Sequence, residues 1–170
     1  MIQLFTQWML PTGILTLGVI EDVRFKKIRN QVLIGCLLAS LVFMIFSGGF
    51  GTIPTGLLSL LVALGLGFPL FLLGVLGAGD VKLLMVFSLT QEWSTIFFVS
   101  AVSMIWGSLL GVIQITLKKD WSRVRENMGS LVWKRKAPSP GMLHHIPFAV
   151  ALLFAWLTHL TLIQSGGHWL

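Results

Sequence analysis

Charged residues are scarce in this chain: they make up 11% of its 170 positions, where a soluble globular domain carries roughly a quarter. No Asp, Glu, Lys or Arg occurs between Gln31 and Gly79, nor between Ala137 and Leu170. Such stretches exclude a fold solvated by water on all sides and suit lipid as the solvent. Cysteine is almost missing as well. The single Cys36 lies inside an apolar run, which excludes an intramolecular disulfide and a cysteine-rich zinc site. The N-terminus lacks the basic n-region of a cleavable signal peptide, so Ile2 to Ile20 is expected to be a retained first span. With no room left for a soluble domain, residues 1–170 are expected to form one membrane-embedded domain.

What is present is apolar sequence, 55% of the residues, cut into runs by Gly, Pro and charge. Six runs qualify as helices: Ile2 to Ile20, Val32 to Phe46, Ile53 to Leu76, Val81 to Thr90, Thr95 to Leu117 and Ile146 to Ile163. The fold class predicted is therefore all-α, a polytopic bundle. All twelve Lys and Arg fall at Arg24 to Arg29, at Lys82 and at Lys118 to Lys136. Six crossings with the N-terminus and C-terminus outside put all three places in the cytosol, as the positive-inside rule expects. Five crossings would carry the seven basic residues of Lys118 to Lys136 to the outside. The net charge of +6 thus reads as an orientation signal beside apolar spans, contacting membrane lipid, and not as a nucleic-acid surface.

The fourth run is short. From Asp80 to the interface marked by Trp93 it covers about 20 Å against a hydrocarbon core of about 30 Å. Asp80 would then lie roughly 10 Å below the cytosolic boundary, a depth at which ionisable groups face a wet cavity and carry function. The other acids are Glu21, Asp22, Glu92, Asp120 and Glu126. Glu92 belongs to an outer turn, and Asp120 and Glu126 to a basic loop, which leaves Glu21, Asp22 and Asp80. Neighbouring side chains on a helix point about 100° apart, so only one of Glu21 and Asp22 is expected to face the bundle. Around Asp80 the chain reads Gly77-Ala78-Gly79-Asp80-Val81-Lys82-Leu83-Leu84. Glycines before the acid permit a tight turn and close backbone approach. Asp80 would cap the helix that follows, whose dipole favours its ionised form. A purely structural cap, with Lys82 snorkelling to the interface, fits the same spacing.

This octapeptide resembles the GxGD signature of the type IV prepilin peptidases, membrane aspartyl proteases. Asp22-Val23-Arg24-Phe25-Lys26-Lys27-Ile28-Arg29-Asn30 resembles that family's upstream segment, an Asp followed by a basic stretch and Ile-Pro-Asn, with Arg29 standing where the family has proline. Ile146-Pro147-Phe148-Ala149 is similar to the segment that opens the family's last helix. The resemblance implies that Asp22 and Asp80 are the catalytic pair, supported by Gly77, Gly79, Lys82, Ile28, Asn30 and Pro147. It implies an aspartic endopeptidase in the bacterial inner membrane that cleaves the leader from prepilin or pseudopilin precursors on the cytosolic side. Neither a metal nor an organic cofactor is implied. The chain resembles the minimal, peptidase-only members associated with tight-adherence (Flp) pili, without the cysteine-bearing insertion of larger relatives, so no methyl transfer is expected. Glu21, assigned an interfacial role, is expected to tolerate conversion to its amide.

Other constellations have duller readings. His144, His145, His159 and His168 show no metal-ligand spacing and read as interface polarity. Gly107-Ser108 with His159 could serve a membrane serine protease, but small residues in membrane helices usually serve packing. A transporter or channel subunit could use Asp22 and Asp80 to relay protons or cations, although both acids map to one end of the spans and not to the midplane. An inactive scaffold within a pilus assembly is the third alternative.

Overall fold

In the computed structural model, residues 2–25, 28–118 and 148–165 are described. Among them there are six α-helices and no strand: α1 (Ile2–Phe25), α2 (Asn30–Gly48), α3 (Ile53–Leu72), α4 (Ala78–Ser88), α5 (Trp93–Lys118) and α6 (Phe148–Gln164). A single 3-10 turn, Gly49–Thr52, joins α2 to α3. Its first residue has a φ of 67°, a left-handed conformation that glycine adopts without a Cβ penalty. The all-α expectation holds. The helices run past the apolar runs at most ends, because the hydrogen-bonded ladder continues into the polar flanks; α1 extends to Phe25 and carries Glu21 and Asp22 on its last turns.

Two helical segments, Ile53–Leu72 and Trp93–Gln114, are long and apolar enough to cross a membrane. The apolar parts of α2 and α6, Asn30–Phe46 and Phe148–Gln164, are shorter. Large apolar side chains point outward from the bundle, among them Leu38 and Val42 of α2, Leu57 and Leu61 of α3, and Ile105 and Val112 of α5. In water that surface would be a severe aggregation hazard; against lipid tails it costs nothing.

The shortest helix lies innermost. α4 has 11 residues and spans about 16 Å, and seven of its residues, Asp80, Val81, Leu83, Leu84, Val86, Phe87 and Ser88, are buried. A helix that is apolar around its whole circumference belongs inside a bundle. Here α1, α2 and α3 surround it, with α6 closing one side. Close approach depends on small residues. At Gly67 of α3 an added Cβ would lie 3.2 Å from Val81 of α4, and at Gly107 of α5 it would lie 3.7 Å from Ala151 of α6. Polar groups in the interior bond across helices. Ser59 of α3 donates to the carbonyl of Gln91 at 2.9 Å, tying α3 to the α4–α5 turn. The indole of Trp156 on α6 donates to Thr12 Oγ1 on α1 at 2.9 Å and packs edge-on to Phe87, with ring centres 5.4 Å apart.

Chain direction sorts the charges. α1 ends, α2 begins and α4 begins at one end of the bundle, and α5, antiparallel to α4 across a short turn, finishes there. Arg24, Arg29, Lys82 and Lys118 therefore share that end, while Glu92 and Trp93 sit at the other.

Candidate active site

The contact that builds the site is made by a glycine. Where α1 crosses α4, a Cβ added to Gly18 would fall 2.6 Å from a Leu83 methyl, so with any larger residue Leu83 or the helices would have to shift. Asp22 is four residues after Gly18, on the same face of α1, and Asp80 is three residues before Leu83, on the same face of α4. Because the helices are antiparallel, both steps lead to the same end of the bundle. Asp22 and Asp80 thus lie on facing surfaces one turn beyond the Gly18–Leu83 contact. Both are buried, at 2% and 5% exposure.

The turn before α4 fixes Asp80. Gly77 is the N-cap, in an extended conformation with φ −76° and ψ 153°. Asp80 occupies the third helical position and reaches back, so that its Oδ2 accepts the backbone N–H of Gly77 at 3.1 Å. The expectation that Asp80 itself is the cap is corrected: it makes the carboxylate half of a capping box, and Gly77, lacking a side chain, makes no reciprocal bond. That bond turns the carboxyl back over the helix start, and an added Cβ at Gly77 would meet it at 3.1 Å.

Ile28 and Asn30 lock the α1–α2 corner onto the same turn. Ile28 is 5% exposed and packs where a Gly79 side chain would be, its Cβ 3.4 Å from the position of an added Cβ. Lys82 Nζ donates to Asn30 Oδ1 at 3.2 Å, joining the first turns of α2 and α4. Gly77, Gly79, Lys82, Ile28 and Asn30 are thereby gathered around Asp80. Pro147, with His144 and His145, lies outside the described residues, as does His168.

Glu21 departs from the sequence expectation. It is buried, at 5% exposure, alongside Asp22 and not turned away from the bundle. Arg29, just before α2, reaches back to Glu21, so the carboxyl is covered although its position on α1 is about 100° from that of Asp22. Glu21 takes a bidentate bond from Arg29, whose Nη2 and Nε donate to Oε1 and Oε2 at 2.6 and 2.8 Å. The guanidinium also lies over the Phe25 ring, 4.5 Å from its centre. Hydrogen bonding from Arg29 holds the Glu21 carboxyl below its ordinary range, and the carboxylate in turn holds the guanidinium above its own. Sequence reading missed this pair because an eight-residue spacing across a turn matches no helical periodicity.

The serine-protease constellation does not assemble. Ser108 donates its hydroxyl to the Ile105 carbonyl at 2.8 Å, and His159 is stacked on Trp156. Gly107 packs at Ala151, which on α6 is about 12 Å from His159.

Residues 9–112, which include both aspartates, the glycine turn and the α1–α2 corner, match the model of the type IV leader peptidase family. No curated protein and no solved structure matches the chain.

Proposed function

The chain belongs to the type IV leader peptidase family and is a membrane protease, and from that premise we propose that Asp22 and Asp80 are the catalytic pair of an aspartic endopeptidase. Its substrates are type IV prepilin-like precursors, cleaved at the cytosolic face of the bacterial inner membrane. What supports this reading is the close Gly18–Leu83 contact together with the burial of both carboxylates, since helical spacing carries Asp22 and Asp80 to facing surfaces of α1 and α4 one turn beyond it.

The chemistry follows from the residue type. Two carboxylates sharing one site do not both ionise easily, so the pair holds one proton between them. The ionised member takes a proton from water as the water attacks the scissile carbonyl. The protonated member polarises that carbonyl and afterwards supplies the proton that lets the amine depart. The Gly77 N–H, bonded to Asp80 Oδ2, engages one of its oxygens and limits rotation of the carboxyl. Cleavage by such a pair gives a bell-shaped pH profile whose limbs belong to the two acids jointly. Chelators are expected to leave the rate unchanged, and a rate flat across acidic to alkaline pH would contradict the shared proton.

The membrane reading is a six-span bundle with both chain ends outside. It draws support from the gathering of Arg24, Arg29, Lys82 and Lys118 at the end that holds the aspartates. Reporter fusions after Lys136 and after Leu170 should report opposite compartments. A common compartment for both would remove the topology.

A further inference from the structure

We propose that Glu21 and Arg29 form a positioning clamp that closes the α1–α2 corner over the first turn of α4 and thereby holds Asp22 opposite Asp80. The proposal rests on the assignment of the two aspartates above. It assigns no contact with substrate to either member of the clamp.

Arg29 is bound on three sides. Its guanidinium makes the two bonds to Glu21 and covers Phe25, and its backbone N–H points at Glu21 Oε2 from 3.4 Å. Both Glu21 and Phe25 belong to the end of α1, and Arg29 is the N-cap of α2, so the pair spans the corner between them. The residue before the cap is Ile28, whose side chain packs on Gly79, and the residue after it is Asn30, which accepts the bond from Lys82. Tension on the Arg29 side chain therefore fixes the two contacts by which the corner sits on the glycine turn of Asp80. Asp22 shares the last turns of α1 with Glu21, so a corner that lifts off α4 carries Asp22 with it.

The alternative is that the ion pair merely neutralises a buried acid. What distinguishes a clamp is that another restraint on the same backbone can replace it. Arg29 has φ −72° and ψ 137°, a conformation that a proline ring imposes by itself, with φ near −65°. Proline also restricts the preceding residue, here Ile28, to extended conformations, which further narrows the freedom of the corner. The exchange removes the guanidinium bonds, the Phe25 contact and the 3.4 Å contact of the Arg29 N–H, and leaves the backbone restraint alone. Ionisation does not confuse the test, because a carboxyl held below its ordinary value keeps the pair charged at neutral pH. The stability the pair contributes is present above the unfolded value and lost only as pH falls through the lowered one.

The test is run on the full-length protein in detergent, in two readouts. For the first, Cys36→Ala is combined with Ile28→Cys and Gly79→Cys, whose Cβ atoms would lie 3.4 Å apart, at the short edge of the roughly 3.5–4.5 Å that a disulfide spans. The oxidised yield measures docking of the corner with no reference to proteolysis. Into this background are introduced Glu21→Gln and then Glu21→Gln with Arg29→Pro. The expected result is a several-fold slower cross-link in Glu21→Gln and restoration by the added proline. For the second, the same substitutions in the otherwise native chain are assayed for cleavage of a prepilin. There kcat should fall on the order of tenfold in Glu21→Gln with KM little changed, as misplacement of a reacting group produces, and recover in the double variant. Unchanged cross-linking in Glu21→Gln, or failure of Arg29→Pro to restore it, overturns the clamp. Full cleavage by Asp22→Asn would instead overturn the catalytic assignment, and the cross-linking result would stand apart from it.

Discussion

Asp22→Asn and Asp80→Asn are each expected to lower prepilin cleavage by at least on the order of a thousandfold, because an amide neither accepts the proton of the attacking water nor supplies one to the departing amine. The substitutions are nearly isosteric, and the structure gives a specific reason to expect the Asp80 variant to fold. The carbonyl oxygen of an asparagine at position 80 can still accept the Gly77 N–H, so the start of α4 keeps its bond. Loss of activity with unchanged expression and detergent-extracted size is therefore the expected pattern. Glu92→Gln is the control: Glu92 is exposed at the opposite end of the bundle, beside Trp93, and its amide should cleave at the wild-type rate. The two losses should also be non-additive, since the acids act as one unit. Wild-type cleavage by either aspartate variant would sink the pair mechanism and favour a site elsewhere in the chain.

Those two acids were legible in the sequence because charge is so rare in it. With only six carboxylates in the chain, a buried aspartate after Gly77-Ala78-Gly79 stands out, and the apolar runs delimit the helices without help from propensity. The position of Asp80 within its turn was less legible. An aspartate and a glycine both serve as N-caps, and only the extended backbone of Gly77 decides which of them does. Glu21 was the residue misplaced. Helical geometry separates adjacent side chains, but it says nothing of a partner from outside the helix, and Arg29 reaches Glu21 from outside α1. An exposed arginine at the α1–α2 corner that covers a buried acid depends on tertiary contacts that hydropathy patterning does not encode. The α1–α4 crossing was equally hidden, since Gly13, Gly18 and Gly35 look alike as sequence and only Gly18 has a neighbour where its side chain would be.

That difference among glycines gives the second large effect. At Gly18 an added methyl would fall 2.6 Å from one Leu83 methyl and 2.9 Å from the other, and Leu83, at 1% exposure, can shift only against the side chains that bury it. Overpacking of this kind costs about 1–3 kcal/mol, offset in part by the roughly 1 kcal/mol by which alanine exceeds glycine as a helix former. The net effect on stability is thus small, and thermal unfolding of Gly18→Ala should shift by only a few degrees. Activity should suffer far more. The methyl wedges α1 from α4 one turn short of the aspartates, and separation of reacting groups by about 1 Å costs on the order of a hundredfold. Leu83→Val removes both atoms that clash while keeping a branched apolar side chain, so Gly18→Ala with Leu83→Val conserves total volume at the crossing. The double variant should recover most of the lost cleavage, whereas Gly13→Ala, made where nothing lies within 4 Å, should lose none. Equal activity in Gly18→Ala and Gly13→Ala would mean that the glycine contact does not set the spacing of Asp22 and Asp80.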